Sequence, residues 1–140
     1  TRLINMGIEP FLVASSLNVI QAQRLVRKAC VQCKKPTVIE LDELMSVGMT
    51  AEEAKKATPM KGEGCEKCGG SGYKGRLGIY EVLPITEDIR NAIVSGMSDI
   101  EIKRIAVQRG MRSLRKSAVA KMAAGVSTFD EVVSVTLADE

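Results

Sequence analysis

Cys30-Val-Gln-Cys33 and Cys65-Glu-Lys-Cys68-Gly-Gly-Ser-Gly72 decide how this chain folds. They hold all four cysteines of the sequence, and there is no histidine. A Cys-x-x-Cys turn sets two sulfurs on one side of a tight knuckle, and two facing knuckles supply the tetrahedron of soft donors that zinc prefers. The paired spacing predicts a metal site on Cys30, Cys33, Cys65 and Cys68, with structural zinc as the expected occupant. An iron centre, disulfides, a redox pair and unrelated buried thiols are the competing readings. No signal-peptide pattern opens the sequence, so an oxidising compartment is not expected, and a redox motif needs only one pair.

Working outward, the 31 residues between Cys33 and Cys65 exceed a zinc-ribbon gap, so something must fold inside them. Gly62, Gly64, Gly69, Gly70, Gly72 and Gly75 crowd the second pair, as expected where backbone N–H groups turn in toward sulfurs. Four thiolates around a divalent ion leave net negative charge. Arg24, Arg27, Lys28, Lys34 and Lys35 flank the first pair with no acid among them, and either offset that charge or form a solvated face.

The flanks suggest strands. Arg76 to Leu83 alternates, carries Ile79, Tyr80 and Val82, and stops at Pro84. Ala22 to Lys28 also alternates, although periodicity alone does not separate strand from helix there. If both are strands, the cysteine region is a long excursion between chain-neighbouring strands, and the metal is a clasp at its neck. Upstream, Glu9-Pro10 opens a segment of near-helical apolar spacing to Ile20, with Ser15 or Ser16 as a cap for another helix after it. Leu3 to Gly7 reads as the tail of a helix already under way, which suggests a piece of a longer protein.

Helix punctuation is plain elsewhere. Thr50-Ala-Glu-Glu53, Ser98-Asp-Ile-Glu101 and Thr128-Phe-Asp-Glu131 fit the capping box, and Thr86 precedes the acidic turn Glu87-Asp88. Gly96, Gly110 and Gly125 act as stops. Apolar stripes at Ile89 and Ile93, at Ile102, Ile105 and Ala106, and at Leu114, Ala118 and Met122 are expected to face one shared core.

With 140 residues, 45% of them hydrophobic and few aromatic, the chain can bury one modest aliphatic core and a satellite lobe. A net charge of +3 with interleaved signs does not point to nucleic acid. No apolar run reaches the roughly 18 residues that a membrane span needs. The sequence has no Gly-x-x-x-x-Gly-Lys-Ser/Thr phosphate loop, no histidine base and no spare cysteine nucleophile, so no catalytic residue is assigned and cofactor contacts are not read.

Glu9-Pro-Phe-Leu-Val-Ala-Ser-Ser-Leu17, Ala22-Gln-Arg-Leu-Val-Arg27, both cysteine pairs, Gly72-Tyr-Lys-Gly-Arg76 and Gly78-Ile-Tyr-Glu81 occur in the order seen in bacterial secretion and pilus-assembly ATPases. The chain resembles the C-terminal region of a type IV pilus assembly (extension) ATPase, closely similar to type II secretion ATPases. Arg109 to Arg115 and Thr128 to Val133 fit the pilus branch better.

The resemblance implies an α/β, mostly helical piece of a RecA-like ATPase domain. Its implied parts are the end of the core (1–29), a four-cysteine zinc insertion (30–75), a returning core strand (76–85) and a C-terminal small-helix subdomain (86–140). It further implies a hexamer that uses ATP and Mg²⁺ through residues upstream of this chain. The implied partner is an inner-membrane pilus platform protein, approached from the cytoplasm without membrane insertion or nucleic acid. No role is carried onto Arg24, Arg27 or Arg76. A DnaJ-like zinc module, suggested by Cys65-x-x-Cys68-x-Gly-x-Gly72, and a nucleic-acid-binding zinc ribbon remain as alternatives.

Overall fold

A computed structural model describes residues 1–136 as a mixed α/β chain. Its contacts divide into two compact units. One comprises Thr1–Ala22 with Glu81–Ser113, and the other comprises Gln23–Tyr80 with residues 114–136. The last residues of the expected 86–140 subdomain, 137–140, lie outside the described ones.

The first unit holds α1 (Arg2–Asn5), α2 (Pro10–Ser16), α5 (Glu87–Val94) and α6 (Asp99–Gln108). Pro10 opens α2, where its fixed φ and missing N–H cost nothing. The helix stops at Ser16 because Leu17 turns extended. Ser15 and Ser16 therefore sit in its last turn and cap nothing downstream. The next element is a strand, β1 (Val19–Ala29), so the helical spacing to Ile20 overran by four residues. The core here is Val13, Ala14, Ile85, Ile89, Ile93 and Ala106. Ser98 caps α6 in a complete box with Glu101.

The second unit holds most of β1 and of β4 (Tyr73–Pro84), with α3 (Leu41–Ser46), α4 (Ala51–Lys56), α7 (Leu114–Ala123) and α8 (Phe129–Val135). β1 and β4 pair as a two-stranded sheet. Backbone bonds from Cys30 N–H to Gly72 O and from Ile85 N–H to Asn18 O, each 2.9 Å, give the order an antiparallel ladder requires. β4 starts three residues before the expected Arg76. The excursion between the strands carries α3, the Thr50-capped α4, and a short antiparallel ladder of β2 (Lys34–Pro36) with β3 (Met60–Gly62). Lys34 lies opposite Gly62 and Pro36 opposite Met60.

Val26 of β1 and Ile79 of β4 pack with Leu44, Val47, Met49 and Ala54 from the excursion and with Ala118, Met122 and Val132 from α7 and α8. The three helical stripes thus do not share one core. Those of α5 and α6 serve the first unit, and that of α7 serves the second. Their spacing marks which face is buried but not the neighbour that buries it. Among the described residues no helix is long and apolar enough to cross a membrane.

Candidate metal centre

The sequence places Cys30 at the end of β1 and Cys33 just before β2, so one knuckle links a long strand to a short one. Its turn is closed by Lys34 N–H donating to Cys30 O at 2.8 Å. The second knuckle is the 3₁₀ turn Glu66–Cys68, capped by Gly69 in the left-handed region that only glycine adopts without strain. β2–β3 pairing draws Gly62 and Gly64 up to the first knuckle. Gly72 then crosses Gly62 so closely that a Cβ on Gly62 would lie 2.1 Å from Gly72 O.

The result brings all four cysteine sulfurs within 4.8 Å of one another. Cys30 faces Cys65 at 3.8 Å, Cys33 faces Cys68 at 3.9 Å, and Cys65 lies 3.7 Å from Cys68. A tetrahedral ion with metal–sulfur bonds of about 2.3 Å sets its sulfurs about 3.8 Å apart. The donor set therefore fits a metal ion, and its tetrahedral four-sulfur character suits zinc or iron. A disulfide needs sulfurs about 2.05 Å apart, and all four cysteines are free. Cys30 is fully enclosed, whereas the other three are half-buried.

Backbone amides point at the sulfurs. Gly64 N–H donates to Cys33 Sγ at 3.3 Å, and the N–H groups of Cys65 and Gly72 both donate to Cys68 Sγ at 3.2 Å. Burial opposes ionisation of Cys68, yet these two amides and the neighbouring thiols of Cys65 and Cys33 outweigh it and bring its thiol down to about 6. Cys33 goes the other way, to about 11, through burial and three crowding thiols that the Gly64 amide only partly offsets. The four thiols thus sit in unequal surroundings, and a cation held among them would favour the thiolate form of all four.

Three of the flanking bases are engaged elsewhere. Arg27 Nε donates to Glu131 at 2.6 Å and its guanidinium lies 4.0 Å from the Tyr73 ring centroid. Lys34 Nζ donates to Gly125 O at 3.0 Å, and Lys35 pairs with Glu63 at 3.0 Å. Each of these three has its own partner, and the N–H groups that reach the sulfurs are backbone amides.

Reading the sequence missed Tyr73 and misread Glu131. Thr128 Oγ1 accepts the Glu131 N–H at 3.1 Å, as an N-cap should, but the Glu131 carboxylate turns to Arg27 instead of closing a box. Tyr73 Oη lies 2.7 Å from Thr128 Oγ1. Nothing in the local sequence marked either contact, since Asp130 and Glu131 both lie in the first turn of α8.

The first unit also has a cavity of about 690 Å³, partly open to solvent, with walls that include Leu3, Ile4, Val13 and Ile102. Its carboxylates are engaged, Glu81 with Lys103 at 3.8 Å and Asp99 with Thr1. The sulfur cluster is therefore where donor chemistry converges.

Residues 1–134 match the family described as Type II/IV secretion system protein. The chain is 43% identical over 137 residues to the type IV pilus assembly ATPase PilB of Thermus thermophilus, a match covering 98% of this chain and 15% of that protein. It is 43% identical over 140 residues to PilB of Myxococcus xanthus, covering 99% of this chain and 25% of the relative. The type II secretion system protein E of Dickeya dadantii matches at 43% over 136 residues, 97% of this chain and 26% of that protein. The chain spans about a quarter or less of the length of these curated relatives, and identity does not separate the pilus branch from the secretion branch.

Proposed function

We propose, from the premise that this chain belongs to the type II/IV secretion system protein family, that it is the zinc-clasped C-terminal part of a hexameric ATPase that powers type IV pilus assembly. The observation that carries this reading is the conjunction of the family match over residues 1–134 with four sulfurs at tetrahedral spacing. Zinc is the favoured ion because the site is closed, with four protein donors and no open position, as structural zinc sites are. In this reading residues 1–29 end a RecA-like core, 30–75 are the zinc insertion, 76–85 return to the core, and 86–140 form a C-terminal helical subdomain.

Cys30, Cys33, Cys65 and Cys68 hold the metal, and no residue of this chain performs the chemical step. ATP and Mg²⁺ are bound by other parts of the whole protein, consistent with a sequence that has no phosphate loop. The chain then contributes packing between subunits and contacts to an inner-membrane platform protein at the cytoplasmic face. It does so without entering the bilayer or touching nucleic acid. A type II secretion ATPase is the second reading, favoured by the equal identity to the Dickeya dadantii protein. The DnaJ-like and zinc-ribbon alternatives have no support in a family match that runs through both flanks of the cysteine region.

The test uses the whole protein and residues 1–140 side by side. We expect about one zinc per chain by elemental analysis, lost in the Cys65→Ser, Cys68→Ser double variant, and ATP turnover only in the whole protein. Zinc retained by the double variant, or turnover by residues 1–140 above a buffer blank, overturns the reading.

A further inference from the structure

The turn between α7 and α8 is strapped to the roots of the metal lobe at several points. Ala29 N–H, one residue before Cys30, donates to Val126 O at 2.9 Å, and Lys34 Nζ, one residue after Cys33, reaches Gly125 O. Ser127 Oγ donates to Arg27 O at 2.8 Å. The first turn of α8 then takes hold of side chains on both arms. Glu131, 3% exposed, fixes the Arg27 guanidinium on the outgoing strand, and Thr128, also 3% exposed, meets the Tyr73 hydroxyl on the returning one. Arg27 lies over the Tyr73 ring, so the two held side chains also join each other across the neck.

We propose that this turn is a second clasp on the neck of the lobe, and that Glu131, Thr128, Tyr73 and Arg27 are positioning residues for the sulfur centre. The inference rests on the metal reading above. Arg27 lies three residues before Cys30, and Tyr73 lies five residues after Cys68. Whatever sets the gap between those arms therefore sets the gap between the knuckles. A buried carboxylate with an arginine partner is costly to unpair, so the clasp resists spreading of the arms. Coupling between two such sites is reciprocal: a clasp that tightens the metal site must itself be tightened by the metal. Partners beyond the ligating atoms commonly tune metal affinity in this way.

The residues 1–140 chain is loaded with Zn²⁺, and transfer of the ion to excess chromophoric chelator is timed. Compared are the unaltered chain, Glu131→Gln, Tyr73→Phe, and Glu52→Gln at an exposed position of α4. Transfer is expected to speed up roughly tenfold in Glu131→Gln, by a smaller factor in Tyr73→Phe, and not at all in Glu52→Gln. Removing zinc from the unaltered chain should raise amide exchange in α8. If Glu131→Gln lowers the melting temperature yet releases zinc at the unaltered rate, the turn is merely structural and the proposal falls. Should Glu131→Gln fail to fold, Tyr73→Phe decides, since it removes a single hydroxyl, and an unchanged rate there overturns the clasp. A chain that takes up no zinc refutes the metal reading and the clasp together, whereas zinc bound with unaltered release refutes the clasp alone.

Discussion

Single positions around the sulfur centre carry unequal weight, and the glycines show why. Gly62 needs no left-handed backbone, yet a methyl group there would meet Gly72 backbone oxygen at 2.1 Å, and that oxygen cannot swing aside. Gly69 adopts φ +64° but has nothing within 4 Å of a Cβ. Gly62→Ala should therefore cost more than the usual overpacking range of about 1–3 kcal/mol and lower zinc occupancy. Gly69→Ala should cost only about 1–2 kcal/mol of conformational strain and keep the metal. Thermal melts paired with metal analysis separate the two outcomes. All six glycines near the second knuckle look alike in sequence, because close backbone approach between residues ten apart leaves no local mark. The clustering of the cysteines was legible, since two Cys-x-x-Cys pairs mark four sulfurs that can converge. The partners of Arg27, Lys34 and Lys35 were not, because each is chosen by a chain segment distant in sequence.

At the scale of elements, helix starts were the most readable feature, for a capping box is a local contract between residues three apart. Ser98 N–H donates to Glu101 Oε2 at 2.9 Å and Glu101 N–H to Ser98 Oγ at 3.3 Å, as the sequence predicts. Ser98→Ala should destabilise the chain by about 1 kcal/mol. The bonds from Ser98 backbone and side chain hold the Glu101 carboxyl below its ordinary value, with Arg104 helping. A lowered folded pKa means stabilisation that is full above the unfolded value of about 4.3 and lost as pH falls through the folded value. The melting difference between the unaltered chain and Glu101→Gln should accordingly be constant near neutrality and shrink in acid. A difference that grows on acidification would contradict the assignment. Strand limits were harder to read. Leu17 to Ile20 continues the apolar spacing of α2 although backbone at Leu17 has already turned extended, and Gly75 and Gly78 interrupt the alternation that would have announced the start of β4. The β2–β3 ladder spans three residues on each side and includes Pro36 and Gly62, too little pattern to read.

For the whole molecule, the two cores set what fails together. Met122 and Val132 are fully buried beside Val26 and Ile79, so α7 and α8 depend on the same unit as the metal lobe, whereas Ile89, Ile93 and Ala106 belong to the other core. Chelation should raise amide exchange in α3, α4, α7 and α8 while α5 and α6 keep their protection. Uniform loss across all helices would mean that the two units do not open independently. The capping residues gave no warning of this split, because helix order along the chain does not say which strand each helix will cover. One asymmetry of the cluster has its own outcome. Cys30 is wholly enclosed while its three companions are partly exposed, so an ion held there, as proposed above, would be reached from one side. A delivering thiol or a competing scavenger would then meet Cys33, Cys65 and Cys68 first, and the bond to Cys30 would be the last to be exchanged.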